Sequence, residues 1–280
     1  MGDVLSLIKS LRLKNGNKGF KQALFLCSKE LFGLSHEEFT ARWRPRVATD
    51  KGTLRQYMQP TAEALFQEWK EKRDPSWLYS HPEYKWDSIG VSYCQTPATT
   101  TAGVSLLKKA GISPKRVFDW GAGPGFSTII LARNFPGAEV HYNECNDDLV
   151  RVFEWFAKYA DIKNVKHVAQ PEGDYDLIQA YEIVEHIKHE NQPAVGDPIT
   201  ATMKILTPMK EGTHFLHSSC WTAENGYFTL GHFLRYNVDG RVVSNSAVGK
   251  HFRKYLATKG WIEKGKGWNS RPFLFQKGEK

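Results

Sequence analysis

A ten-residue stretch, Tyr181–Glu190, carries an unusual density of groups that can move protons. Its sequence, YEIVEHIKHE, contains three glutamates and two histidines. Carboxylates and imidazoles are side chains that proteins use for general acid–base catalysis. The stretch follows an apolar run, YDLIQA, that is typical of a buried strand. Two interpretations fit: the edge of an active site, or a helix that happens to begin with charge. The neighbouring elements must decide between them.

A glycine-rich motif lies upstream, in VFDWGAGPGFSTI. Gly121, Gly123 and Gly125 follow a strand-like run and precede a helix-like run, and Asp119 stands two residues before the first glycine. Glycines are needed where a chain turns sharply or a ligand approaches the backbone, because a Cβ would collide there. The spacing G-x-G-x-G differs from the G-x-G-x-x-G of nicotinamide and flavin sites, and no Lys-Ser/Thr pair follows as in a P-loop.

Strand-like and helix-like segments alternate around these motifs. The strand-like segments are RVFDWG, AEVHYNE, NVKHVAQ, YDLIQAYEI, THFLHSSC, WIEKGKGW and RPFLFQK. Such alternation predicts an α/β fold with a Rossmann-like, mostly parallel seven-stranded sheet and helices on both faces. The last two segments are separated by a short turn, so we expect the last strand to run antiparallel.

The N-terminal part of the chain has a different pattern. Several amphipathic helix-like segments are followed by DPSWLYSHPEYKWDSIGVSYCQTPATT, which contains three prolines and many aromatic residues. We expect this connector to be irregular. The prediction is therefore a helical extension with an aromatic connector over residues 1–98, which could cap a substrate pocket, and an α/β domain over residues 99–280.

Val117–Gly125 resembles the cofactor loop of class I S-adenosylmethionine (SAM)-dependent methyltransferases. That family's pattern is an apolar pair, Asp, one residue and then G-x-G-x-G, which VFDWGAGPG matches throughout. The resemblance covers roughly residues 100–280 and implies a SAM-binding methyltransferase domain. It implies that the three glycines wrap the methionine and ribose portions of SAM. Asp119 would support the loop and the cofactor's amino group.

The resemblance also implies an acid at the end of the next strand that holds both ribose hydroxyls. Glu144 ends EVHYNE nineteen residues beyond Gly125, at the expected distance. A carboxylate can grip a vicinal diol through charge-assisted hydrogen bonds. The alternative is that Glu144 is a solvated loop acid. The family often has a further acid after the third strand that binds the adenine amine. This chain departs from the pattern there, because the link is very short and contains no helix. Gln170 is the candidate for the adenine contact.

The E-x-x-E-H pattern of Glu182, Glu185 and His186 is similar to that in ubiquinone-pathway O-methyltransferases and small-RNA 2′-O-methyltransferases. In both, these residues are associated with a divalent metal that grips the oxygen to be methylated. The resemblance thus implies a Mg²⁺, Mn²⁺ or Zn²⁺ site, with His217 or, preferably, His232 as a further ligand. Two alternatives stay open: His186 is a metal-free general base, or the residues are structural.

Three functions remain open for such a chain. The first is methylation of a small molecule, most simply at oxygen, with the N-terminal helices as a cap. The second is methylation of a nucleic acid at an RNA ribose, since residues 240–280 hold ten Lys/Arg against two Asp/Glu and so account for the net charge of +8. The third is a catalytically inactive SAM-binding subunit of a partner enzyme. The chain lacks the [DNS]-P-P-[YFW] motif of amino-methylating DNA enzymes.

Composition adds expectations about the compartment. The four cysteines are scattered and form no C-x-x-C pair, which argues against a disulfide framework and fits a reducing cytoplasm. No apolar run approaches the roughly 18 residues of a membrane span, so we expect no membrane partner.

Overall fold

The computed structural model describes residues 16–47, 54–58, 81–82, 84–219, 235–267 and 272–278. Its helices are α1 (Gly16–Phe32), α2 (His36–Arg42), α3 (Tyr84–Lys109), α4 (Phe126–Asn134), α5 (Asp147–Tyr159), α6 (Pro198–Leu206) and α7 (Asn245–Thr258). Its strands are β1 (Trp43–Val47), β2 (Leu54–Met58), β3 (Arg116–Trp120), β4 (Glu139–Asn143), β5 (Val165–His167), β6 (Leu177–Tyr181), β7 (Lys188–His189), β8 (Gln192–Gly196), β9 (His214–Ser218), β10 (Arg235–Val238), β11 (Arg241–Ser244), β12 (Trp261–Lys266) and β13 (Phe273–Lys277).

Seven strands of the described residues form the main sheet, in the order β12-β13-β9-β6-β3-β4-β5. Neighbouring strands from β9 to β5 run parallel, whereas β13 is antiparallel to both β9 and β12. The predicted fold class is confirmed, and each strand-like segment forms a strand. The chain runs outward from β3 to β5 and returns to β6 on the other side of β3. The carboxyl ends of β3 and β6 therefore flank the switch in strand order, where open α/β sheets bind their ligands.

The sheet is buried on both faces, which explains the nearly continuous apolar character of its central strands. Side chains alternate between the two faces, so Val117 belongs to one hydrophobic cluster and Phe118 to the other. Residues of α1, α3, α4 and α5 complete the first cluster, and residues of α6 and α7 complete the second. All five residues of β6 are buried.

The N-terminal region packs on the α/β domain through α1. Trp155 Nε1 in α5 donates to Glu30 Oε2 at 2.8 Å, and Cys27 is fully buried. At the start of α2, Ser35 Oγ accepts from Glu38 N and Ser35 N donates to Glu38 Oε2, the reciprocal pair that the sequence spacing suggests. Strands β1 and β2 form an antiparallel pair that the sequence did not predict.

The aromatic connector differs from expectation. Its residues from 84 onward form the first part of α3, a continuous helix that contains Pro97 and crosses from residue 98 to residue 99. The prediction of irregular structure is wrong for this part. Trp86 and Ile89 are buried against the core, and this packing offsets the hydrogen bond that Pro97 cannot donate. The division into two domains at residue 98 stays a prediction.

A second sheet follows the stretch that opened the sequence analysis. Its order is β11-β10-β8-β7, and it packs against α6 and α7. The sequence did not predict it, because β10 pairs with β8 across a long separation along the chain. No helix among the described residues is both long enough and apolar enough to cross a membrane.

Candidate active site

The glycine loop connects β3 to α4 at the carboxyl edge of the sheet. Gly121, Gly123 and Gly125 all adopt positive φ, at 62°, 57° and 74°. A Cβ on Gly121 would lie 2.6 Å from Ile183 Cδ1, and one on Gly125 would overlap the ring of Phe153. The loop therefore needs glycine for its backbone conformation and for its close packing.

Asp119 supports this loop from inside the protein. The side chain is 2% exposed. Its Oδ2 accepts from Ser127 Oγ at 2.7 Å and Thr128 Oγ1 at 2.6 Å, and its Oδ1 accepts from Gln179 Nε2 at 2.8 Å. Burial raises the pKa of the Asp119 carboxyl, and the three hydrogen bonds act in the opposite direction. Asp119 thus ties β3 to α4 and β6.

The three hydrogen-bond donors to Asp119 were missed in the sequence analysis. The pair Ser127 and Thr128 directly after the loop was a usable signal, because polar side chains in the first turn of a buried helix need partners. Gln179 could have been noticed as the polar residue inside an apolar strand. The predicted contact of Asp119 with the amino group of SAM stays a prediction.

Glu144 lies one residue beyond β4 and reaches the glycine loop. Its Oε2 accepts from Gly123 N at 2.9 Å, and its Oε1 accepts from Cys145 N at 2.8 Å and Asn146 N at 2.9 Å. Asn146 in turn caps α5 by accepting from Leu149 N. Burial and the charge of Glu144 raise the pKa of the Cys145 thiol to about 11. The structure therefore brings Glu144 and the loop together.

Gln170 lies at the same edge of the sheet, three residues after β5, and is exposed. Asn143 Nδ2 holds the preceding segment by donating to Val168 O at 3.1 Å and Ala169 O at 3.0 Å. His167 Nε2 lies 3.1 Å from Glu144 O. The link that carries Gln170 is thus attached to the segment that carries Glu144.

The first half of α3 forms a wall beside the glycine loop. A Cβ on Gly123 would lie 3.4 Å from Ser88 Oγ and 3.4 Å from Ser92 Oγ. These two serines are one helical turn apart and face the loop backbone. Sequence analysis did not single them out, because this segment was expected to be irregular.

The acidic stretch after β6 does not form a helix that begins with charge. Glu182 has a left-handed φ of 53°, its N–H donates to Ser218 O at 2.7 Å, and its Oε1 accepts from Ser218 Oγ at 2.9 Å. A 3₁₀ turn, Val184–His186, follows. Within it Glu185 is fully buried and its carbonyl accepts from Tyr236 Oη, whereas His186 is half-buried. A non-glycine residue in this conformation is strained, and such strain concentrates at functional sites.

The metal ligands implied by the resemblance are not assembled among the described residues. These residues include no group of three His, Cys, Asp or Glu side chains placed to hold one metal ion. His217 is 2% exposed and packs with its ring 4.8 Å from that of Phe252. His232 lies outside the described residues.

The known proteins that this chain matches are solved structures. No family model and no curated protein matches the chain. An O-methyltransferase family protein from Burkholderia thailandensis aligns over 100% of this chain and 99% of its own, with 9% identity and a TM-score of 0.54. A putative O-methyltransferase from Klebsiella pneumoniae aligns over 79% of this chain and 91% of its own, with 15% identity and a TM-score of 0.44.

A plantazolicin methyltransferase in complex with SAH aligns over 56% of this chain, with 15% identity and a TM-score of 0.41. The alignment spans 61% of that relative, less than two thirds of its length. The likeness to the Burkholderia protein over the whole chain and the order of the seven strands both indicate the same fold. This chain has the fold of the class I SAM-dependent methyltransferases.

Proposed function

We propose that this chain is a SAM-dependent methyltransferase that acts on a small-molecule acceptor at oxygen. The observation that carries the proposal is the contact between Gly123 N and the Glu144 carboxylate at the carboxyl edge of the sheet, beside the switch in strand order. A left-handed glycine loop and an acid just beyond the neighbouring strand form a cradle of partly accessible loop backbone and one negative charge. Such a cradle suits a ligand with a cationic group and a ribose diol.

The residues at this edge fit SAM. The three glycines leave the loop backbone without Cβ atoms, Glu144 would accept hydrogen bonds from the ribose hydroxyls, and Gln170 would contact the adenine amine. Asp119 would hold the loop in place, as its three protein partners already indicate. When bound, SAM supplies a methyl group on a positively charged sulfur. The chain's own task is to align the acceptor with that methyl group.

His186 is our candidate for the general base that removes the acceptor's proton. It ends the 3₁₀ turn beyond β6, at the other side of the switch in strand order, and is half-buried rather than enclosed. Glu182, held by Ser218, would orient the acceptor hydroxyl beside it. Glu185 is fully buried, which supports a role in holding the turn that carries His186.

A divalent metal is the alternative for the same turn. The described residues do not bring three ligands together, so we derive no step through a metal. His232, which was to complete the set, lies outside the described residues. Sensitivity to EDTA decides between a metal and a metal-free base.

The experiment is transfer of labelled methyl from SAM into a cell extract that is then separated into small molecules, protein and nucleic acid. We expect label in the small-molecule fraction, with and without EDTA. Label in RNA would favour the nucleic-acid alternative instead. SAM binding without transfer to any fraction would favour the inactive-subunit alternative. Loss of labelling with EDTA and its recovery with Mn²⁺ would identify the turn as a metal site.

A matched pair of histidine variants tests the assignment of the base. His186→Ala should suppress transfer and leave SAM affinity nearly unchanged. His189→Ala is the control, because His189 lies in the same stretch and accepts a local hydrogen bond from Asn191 N at 3.2 Å. Equal losses of transfer in both variants would contradict the assignment.

A further inference from the structure

Two basic residues, Arg253 and Lys266, lie beside Phe273 at the edge of the sheet that carries the proposed active site. Strand β13 begins at this edge, where Phe273 pairs with His217 near the carboxyl end of β9. The next residue of β9, Ser218, is the one that holds Glu182. Arg253 of α7 places its guanidinium carbon 4.4 Å from the centre of the Phe273 ring.

Lys266 lies on the same face as this pair. It is the last residue of β12 and stands directly opposite Phe273 in the antiparallel register. Directly opposite residues of an antiparallel pair project from the same face of a sheet. That face is the one covered by α7, because the ring of His217 contacts Phe252. Arg253 and Lys266 therefore flank Phe273 from two different elements.

Neither cation is neutralised by an acid within the described residues. The salt bridges found there involve other Lys, Arg and His side chains, and neither Arg253 nor Lys266 takes part in one. The aromatic ring restrains the guanidinium through a cation–π contact, which lowers the entropy lost when it binds a ligand. A restrained guanidinium beside an ammonium suits a phosphate or carboxylate, which the guanidinium can bind through two parallel hydrogen bonds.

We propose that Arg253 and Lys266 bind an anionic oxygen group, a phosphate or a carboxylate, of the methyl acceptor. The inference rests on the proposed function. The proposed SAM cradle lies at the ends of β3 and β4, whereas this pair lies beyond β9, on the opposite side of β6. A group bound there reaches the turn at His186 from the side away from the cofactor. The pair thus selects acceptors by charge.

Variants of the two cations test the inference once the labelled product has been isolated and the acceptor identified from it. Arg253→Gln and Lys266→Gln should each raise the KM for the acceptor about tenfold or more, since hydrogen bonds to charged groups are strong, and should leave SAM affinity unchanged. Lys259→Gln is the matched control. Lys259 directly follows α7 and, like Arg253, lies over a ring, 5.1 Å from the centre of Tyr255, but at the opposite edge of the sheet.

An unchanged KM in both Arg253→Gln and Lys266→Gln would overturn the inference, as would an equal rise in Lys259→Gln. Thermal melting of each variant checks that it folds, and Arg253→Lys, which keeps the charge, should recover part of the affinity. A general loss of structure would lower kcat and SAM affinity together, which separates it from the expected rise in KM alone.

The labelled product itself provides a second test. It should bind an anion-exchange resin at neutral pH and elute with salt. Pretreatment of the extract with phosphatase distinguishes the two sources: loss of labelling identifies a phosphate, and retained labelling identifies a carboxylate. A product that flows through the resin, or label confined to nucleic acid, overturns the inference. Absence of label from every fraction instead contradicts the proposed function.

Discussion

At the scale of single residues, the two acids beside the glycine loop have different environments. Asp119 is buried and bonded to three side chains, whereas Glu144 is partly exposed and bonded to three backbone amides. A carboxylate can leave loop backbone amides to bind a ligand at little cost, because water can then accept the hydrogen bonds of those amides. Buried side-chain donors have no such substitute. Glu144 therefore suits ligand binding, and Asp119 suits support.

Substitution of Glu144 should weaken SAM binding. A charge-assisted contact contributes about 1.5–3 kcal/mol, so Glu144→Gln and Glu144→Ala should lower affinity roughly tenfold or more. Titration calorimetry with SAM measures this. Glu139→Gln is the control, since Glu139 begins the same strand at the opposite edge of the sheet. Unchanged affinity in both Glu144 variants would show that this residue is a loop acid without a role in binding.

Asp119 should make stability depend on pH. Burial raises its pKa in the folded state above the value of about 3.9 that it has in the unfolded chain. The folded state therefore binds this proton more tightly. The resulting stability is fully present below the unfolded pKa and is lost as pH rises through the folded pKa.

Urea unfolding of the wild type and Asp119→Asn at a series of pH values above about pH 4 measures this contribution. The wild type should lose free energy of unfolding relative to the variant as pH rises, because only the wild type carries this ionisable group. Parallel profiles for the two proteins would contradict the assignment of a raised pKa.

At the scale of elements, the glycine loop is shaped by the helices packed around it. α3 lies on one side, through Ser88 and Ser92, and α5 lies on another, through Phe153. The strained Glu182 turn closes a third side, where Ile183 approaches Gly121. Small changes in α5 or in the Glu182 turn should move the loop, because Phe153 and Ile183 approach its backbone too closely for a Cβ to fit, whereas the serines of α3 lie at ordinary contact distance.

Gly125→Ala should destabilise the protein by about 2–5 kcal/mol, since the new Cβ would combine a left-handed φ with overlap of the Phe153 ring. Gly137→Ala is the control, because a Cβ on Gly137 would meet no atom within 4 Å and this residue has no positive φ. Its free energy of unfolding should change by less than about 0.5 kcal/mol. Chemical denaturation measures both, and equal stabilities would contradict the packing described for Gly125.

At the scale of the whole molecule, the N-terminal region and the sheet share one hydrophobic cluster. Leu24 and Cys27 of α1 and Trp86 of α3 belong to the same cluster as Val117 of β3. Lys85 Nζ also bonds Asp148 Oδ2 of α5 at 2.5 Å. The extension is therefore packed onto the face of the sheet that carries α5 as well as being a candidate cap.

A fragment beginning at residue 99 should fold poorly for this reason. It would begin inside α3 and would expose the core surface that Trp86 and Ile89 cover. A fragment beginning at residue 81 keeps all of α3 and should be the more stable of the two. Thermal unfolding followed by circular dichroism compares them. Cooperative unfolding of the shorter fragment at the same temperature would support a domain boundary at residue 98.

The local sequence pattern was sufficient to predict the main sheet and the glycine loop. The seven strands are short apolar runs between turn residues, and the pattern D-x-G-x-G-x-G at a strand end specifies backbone conformations that only glycine adopts easily. The resemblance to the methyltransferase family pointed to Glu144, and the structure brings its carboxylate to Gly123 N, because the carboxyl ends of neighbouring parallel strands meet at one edge of the sheet. These features depend on neighbours in the sequence, so the sequence by itself determined them.

Tertiary contacts decided the rest. Pro97 and the aromatic residues around it indicated irregular structure, yet burial of Trp86 and Ile89 makes the segment helical, since packing outweighs local preference. Burial of Glu185 and the approach of Arg253 to Phe273 depend on elements far apart in the chain. The sequence determined which residues stand at the carboxyl edge of the sheet. Only the fold decided which of them face inward, because that depends on what packs above them.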